Sequence, residues 1–151
     1  VKVNLELLCR VLENCKTKDT TFNFISSWFV YGKNCSLPAK ESYPCNPTGF
    51  YSITKKCAED LLISFCNTFQ VKYRIIRICN VLGKGDKGAS SRKNAITWMI
   101  NSLKENKPID LYHEGDVIRD FLHVNDVCKA IDLICKNGKK KMKVSENVRY
   151  Y

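Results

Sequence analysis

Two apolar, β-rich runs at residues 20–26 and 72–79 bracket a helical periodicity that extends from residue 48 to about residue 69. In the helical stretch Ala58, Leu61, Leu62 and Phe65 recur at intervals of three and four. A strand, a long helix and a second strand form the connection that parallel neighbours require, and such crossovers are right-handed. The rest of the chain continues the alternation. Val3, Leu7, Leu8, Val11 and Leu12 predict a helix over 3–16. A helix follows over 93–105, a short strand over 109–112 and an extended segment over 118–123. The last helix, 123–135, turns Val124, Val127, Ala130, Ile131 and Ile134 inward. Residues 32–47, which hold three of the four prolines, and the Gly-rich residues 83–91 read as loops. The fold class expected is α/β, with a doubly wound parallel sheet.

A chain of 151 residues is enough for one domain with its own core. No apolar run approaches the roughly 20 residues of a membrane span, so no membrane partner is expected. The chain starts at Val1 within an amphipathic stretch, with neither an initiator Met nor a signal pattern, and reads as a sequence entered midway. The net charge of +10 comes mostly from scattered lysines, with one run at Lys139-Lys140-Lys141 and Lys143. No aromatics interleave with that run, which argues for a solvated surface and against a nucleic-acid partner. Nine cysteines without a C-x-x-C pair, and only two histidines, argue against a metal site. An odd number of cysteines in apolar elements suggests free thiols in a reducing compartment, by default the cytoplasm.

Chemistry concentrates at Tyr51 and Lys55. On a helix they stand at i and i+4, one turn apart on one face. A phenol is a weak base near pH 7, its unperturbed pKa being about 10, but a neighbouring ammonium favours the phenolate. Such a tyrosine can take a proton from an alcohol, or return it, while a hydride moves elsewhere. The Ser27 hydroxyl, at the end of the preceding strand, could align the same oxygen. An isolated Tyr-x-x-x-Lys is usually a surface pair; its neighbours change the odds.

Four stretches supply those neighbours: Phe24-Ile25-Ser26-Ser27-Trp28-Phe29-Val30-Tyr31-Gly32, the Tyr51–Lys55 pair, Arg77-Ile78-Cys79-Asn80-Val81-Leu82-Gly83, and the segment from Gly115 to Val127 containing Arg119-Asp120-Phe121-Leu122-His123. In this order and spacing they resemble the extended short-chain dehydrogenase/reductase family, in its NAD-dependent epimerase/dehydratase branch acting on nucleotide sugars. The resemblance runs from Val1 to about Gly138. It implies a partial Rossmann-type catalytic domain over 1–138, interleaved with substrate-binding segments at about 80–125, and a basic tail over 139–151. It implies Ser27, Tyr51 and Lys55 as catalytic residues, with Tyr51, Lys55 and Cys79 at the cofactor, NAD with NADP as the alternative. Ser27, Asn80 and Arg119 would bind a nucleotide-diphosphate sugar, and a homodimer through the Tyr51 helix and the one before it is a family expectation. His123 and Asp126 are read as structural. Ser27 could instead merely end a strand, Asn80 a turn, and Arg119 could pair with Asp120.

Two departures qualify the resemblance. The glycine turn that receives a dinucleotide pyrophosphate is not in these residues, because Gly83 to Gly88 lacks the strand-turn-helix context. The expectation is a fragment lacking the N-terminal half, the alternatives being a half supplied by a partner chain or a truncated product. The two positions after Ser27 are Trp28 and Phe29, where family dehydratases carry an acid and a base. Epimerisation is therefore expected, with reduction of a 4-keto sugar or a non-catalytic remnant as alternatives.

Overall fold

The computed structural model describes residues 2–16, 19–33, 38–84, 95–116, 118–137 and 147–148. The expected loop over 83–91 lies mostly outside the described residues. Two compact units are present, one built from Val1–Ile78 and Lys139–Arg149, the other from Cys79–Gly138 and Tyr150–Tyr151.

In the first unit β1 (Thr21–Ser27) and β2 (Lys72–Ile78) pair in parallel, from Thr21 against Lys72 to Ser27 against Ile78. The connection is α2 (Phe50–Phe69), preceded in the chain by α1 (Leu7–Glu13), so the expected strand-helix-strand unit is present. Each boundary of β1, α2 and β2 lies within two residues of the sequence reading. A further strand, β5 (Asn147–Val148), pairs in parallel with the other edge of β2. The sheet order is β1-β2-β5.

Thr54, Ala58, Leu62 and Cys66 form the buried stripe of α2 at strict i+4 spacing. Leu8 and Leu12 of α1, with Val71 and Ile75, complete that core, against which Phe22, Phe24 and Tyr73 pack. The helix begins at Gly49 (φ 92°), where Ser52 Oγ donates to the carbonyls of Thr48 and Gly49. It ends at Gln70 in the left-handed region (φ 55°), whose N–H returns to the Cys66 carbonyl.

The apolar positions of the first two helices divide between two faces. Leu61 is 43% exposed, one position away from the buried stripe. Residues 2–16 form a π-helical segment Lys2–Glu6 and then α1; Leu8 and Leu12 are buried in the core, Leu5 and Cys15 pack against it, and Val3, Leu7 and Val11 face outward.

The second unit holds β3 (Asn80–Leu82), α3 (Ala95–Lys104), β4 (Phe121–His123) and α4 (Val124–Asn137). β3 and β4 pair in parallel, with Asn80 opposite Phe121. Val127, Ala130 and Ile134 of α4 are buried as expected, while Val124 and Ile131 are partly so. The strand expected over 109–112 is not formed. A 3₁₀ turn, Tyr112–Gly115, begins at the last residue of that range, and just beyond it Glu114 (φ 54°) and Gly115 (φ 92°) take left-handed backbone through which a strand does not continue.

Candidate functional site

Parallel strands present their carboxyl ends together, and β1 ends at the site. Ser27 is its last residue, extended (φ −137°, ψ 143°), and caps the 3₁₀ turn Trp28–Tyr31 by accepting the Phe29 N–H at 3.4 Å. It is buried, and a hydroxyl that accepts one bond still has its proton to donate. Val30 and Tyr31 bury the far side of the turn, whereas Phe29 is 47% exposed and stacks on Trp28 at 4.8 Å. Gly32 closes the turn at φ 77°.

Tyr51 stands on the first turn of α2, half exposed, with its ring edge-on to Phe29 at 6.4 Å. Among the described residues its hydroxyl makes no hydrogen bond. One turn later Lys55 runs inward, and its Nζ donates to the Ile25 carbonyl at 3.0 Å and lies 5.0 Å from the centre of the Phe24 ring. Burial pushes the Lys55 pKa down, and the charge of Glu59 opposes that shift. Lys55 thus meets β1 two residues before Ser27, and Tyr51 meets the chain two residues after it. The three candidate catalytic residues are gathered at one strand end.

Cys79, Asn80 and Arg119 belong to the second unit. Asn80 Nδ2 donates to the Asp120 carbonyl at 3.0 Å, which brings Asn80 next to Arg119 at one end of the β3–β4 pair. Arg119 is exposed, and its Nη1 donates to the Ile118 carbonyl at 3.2 Å. Burial raises the Cys79 thiol pKa, and the charge of Asp120 adds to the effect. His123 Nδ1 accepts the Asn125 N–H at 3.3 Å, and Asp126 pairs with Lys129 on α4, both local structural uses.

Sequence reasoning missed three residues beside the site. Glu59 of α2 is fully buried, accepting Ser26 Oγ at 2.5 Å and Arg77 Nε at 3.0 Å on Oε1, and Arg77 Nη2 at 2.7 Å on Oε2. The Arg77 guanidinium lies over the Tyr31 ring, 4.8 Å from its centre. Burial alone would lower the Arg77 pKa, but the bonds and charge of Glu59, helped by Tyr31, raise it above the ordinary arginine range. A signal existed in the sequence: one arginine inside Ile75-Ile76-Arg77-Ile78, and a glutamate beside Ala58 on the helix's apolar face.

The model of a family described as "NAD dependent epimerase/dehydratase family" matches residues 1–145, extending past Gly138. A putative UDP-glucose 4-epimerase of Methanocaldococcus jannaschii is 32% identical over 118 residues, covering 75% of this chain and 36% of that protein. The structure of UDP-N-acetylglucosamine 4-epimerase from Methanobrevibacter ruminantium, in complex with UDP-N-acetylmuramic acid, superposes with a TM-score of 0.85 at 27% identity, covering 97% of this chain and 47% of that one. That of dTDP-glucose 4,6-dehydratase from Bacillus anthracis, in complex with NAD, gives a TM-score of 0.80 at 27% identity, with coverages of 96% and 46%. The chain spans less than half the length of each. Motif order, the parallel strand-helix-strand unit and the family match agree: this chain belongs to the NAD-dependent epimerase/dehydratase family, with a Rossmann-type α/β fold.

Proposed function

We propose that the full-length protein is an NAD-dependent epimerase of a nucleotide-diphosphate sugar, with Ser27, Tyr51 and Lys55 carrying its chemistry. The observation that supports this most is the α2 face, where a half-exposed phenol stands one turn from an ammonium anchored beside Ser27. Tyr51 takes the proton from the sugar O4 hydroxyl and returns it, and Ser27 donates to that oxygen to align it. Lys55 favours the phenolate form of Tyr51 by its charge. NAD, when bound, supplies the acceptor and then the donor of the C4 hydride.

The residues present fit the nicotinamide-ribose end of that cofactor. An ammonium has three donors, and the bond to Ile25 uses one, leaving Lys55 able to hold ribose hydroxyls. Cys79 would stand at the nicotinamide. Asn80 and the exposed fork of Arg119 would grip the substrate diphosphate, a use suited to guanidinium. Trp28 and Phe29 cannot transfer protons, which supports epimerisation over 4,6-dehydration despite the likeness to a dehydratase. A second copy of the protein is the proposed partner of the exposed apolar faces of α1 and α2.

The test is Tyr51→Phe in the full-length protein, assayed with UDP- and dTDP-hexoses. Turnover should fall on the order of 10²- to 10⁴-fold, the usual contribution of a general acid–base, with NAD still bound. Unchanged turnover overturns the role of Tyr51. Stoichiometric oxidation of added NAD(P)H when the unaltered protein is given a 4-keto nucleotide sugar, with no turnover of the hexoses, assigns a 4-keto reductase.

A further inference from the structure

Glu59 lies one turn beyond Lys55 and two beyond Tyr51 on α2. Its carboxylate joins three elements, since Ser26 is on β1 and Arg77 on β2, and those two residues are register partners in the sheet. Arg77 then reaches Tyr31, which ends the turn that Ser27 caps. Both carboxylate oxygens are committed, and the Glu59–Arg77 pair is nearly withdrawn from water, with side chains 1% and 10% exposed. A buried ion pair is a poor way to stabilise a core, because apolar residues of similar volume are often as good or better. Its location is informative: Ser26 precedes Ser27, Glu59 lies one turn from Lys55, and Arg77 is the register partner of Ser26.

We propose that the Ser26–Glu59–Arg77 cluster is a positioning device for that site, fixing α2 against the end of β1 so that Lys55 meets Ile25 and Tyr51 faces Ser27, with Glu59 as the counter-charge to the Lys55 ammonium. The inference rests on the catalytic reading of Tyr51 and Lys55. Lys55 is held among the Phe24 ring and Ile25 carbonyl of β1, with Glu59 on its own helix. Around Glu59 stand Ser26 from β1 and Arg77 from β2, with Tyr31 of the 3₁₀ turn against Arg77. Cys45 approaches from the segment before α2, and Lys56 and Asp60, which pair with each other, lie on α2 itself. Glu41 is near Tyr31. Among the described residues, Glu59 is the charge that opposes the effect of burial on Lys55.

The experiment separates a strut from a positioning device. Glu59→Gln leaves the Arg77 charge buried and unpaired and is expected to fold poorly. The double variant Glu59→Gln/Arg77→Met removes both charges while keeping volume. In the full-length protein this variant should fold, and its kcat should fall on the order of 10- to 100-fold with a smaller change in KM. The alkaline limb of its kcat profile should move to lower pH. The Lys55 resonance of the ¹³C-methylated protein should titrate at lower pH as well. Wild-type kcat with an unmoved limb and titration overturns the proposal. Ser26→Ala, which leaves the ion pair intact, decides the positional part if the double variant does not fold. It should cost kcat severalfold with the Lys55 titration unmoved, and an unchanged kcat overturns the proposal. The Lys55 titration needs no substrate, so it judges the cluster even where the unaltered protein fails to turn over a nucleotide sugar and the functional reading falls.

Discussion

Backbone geometry at single residues decides whether the strand end can keep its shape. Gly32 sits at φ 77°, ψ −173°, and Gly49 at φ 92°, ψ 151°, a region essentially reserved for glycine. A Cβ at Gly32 would lie 1.9 Å from the Asn46 carbonyl oxygen, whereas one at Gly49 would have nothing nearer than the Ser52 Oγ at 4.0 Å. Gly49→Ala therefore pays only backbone strain, about 1–3 kcal/mol. Gly32→Ala adds a backbone collision, for a total of about 3–5 kcal/mol once overpacking is included. Denaturant unfolding of the two variants checks the order, and an equal loss would mean that residues 32 and 46 do not meet closely. The sequence shows both glycines but neither environment, since a close approach between residues 32 and 46 is a tertiary fact.

Helix α2 serves two purposes, and its elements were not equally legible. The buried stripe and the Tyr51–Lys55 face follow from a period of 3.6, so the helix, its neighbouring strands and the placing of Tyr51 and Lys55 on one face could be read directly. The three-residue strands β3 and β4 are too short to show alternation, and the apolar run at 109–112, read as a strand, instead leads into the turn Tyr112–Gly115. The Glu59–Arg77 pair was missed because charge on an apolar face signals a partner only after the sheet has brought β2 beside it. At the end of α2, Cys66 is 1% exposed, and burial pushes its thiol up to about 11 from 9, with Cys15 adding to the shift. Below pH 9 the thiol is protonated in both states and contributes no pH dependence. Between pH 9 and 11 the unfolded chain releases that proton while the folded one keeps it, so stability falls as pH rises, by a few kcal/mol at most, on the order of 1 kcal/mol per pH unit. Tyr73, raised by burial, pulls the same way, and Lys55, lowered by burial, pulls the other. Cys66→Ala should be less stable at pH 8 but lose less between pH 9 and 11 than the unaltered protein. Equal slopes in pH-resolved denaturation would exclude a buried thiol as the cause.

At the scale of the whole molecule, the helical pair α1 and α2 uses one apolar stripe for the core and leaves another outside. Leu8 and Leu12 pack on Ala58, Leu62 and Cys66, and Asn4 Nδ2 donates to Thr54 Oγ1 at 3.1 Å, joining the two helical elements. Facing away are Val3 (73%), Leu7 (52%) and Val11 (41%) at i+4 spacing, and Ile53 (47%) and Leu61 (43%) with the exposed Cys57 between them. Periodicity alone could not divide these residues, because both stripes satisfy a helical pattern; only packing shows which one is used inside. A continuous apolar stripe on two adjacent helices, with charges beside it, is what a symmetric helix-on-helix interface needs. The expected outcome is that the full-length protein is a dimer and that Leu7→Glu/Leu61→Glu converts it to monomer. Each buried leucine contributes about 1.5–3 kcal/mol, and the introduced carboxylates must be desolvated at the interface. Sedimentation equilibrium measures the mass, and far-ultraviolet circular dichroism shows whether the variant stays folded. A folded variant with undiminished dimer mass would place the interface elsewhere, and a monomeric unaltered protein would leave the stripe without a second copy as its partner. Because these helices also carry Tyr51 and Lys55, the folded monomeric variant should lose turnover only so far as α2 depends on its neighbour; a small loss beside the collapse predicted for Tyr51→Phe would locate the orientation of α2 in contacts within one chain, chiefly those of Glu59.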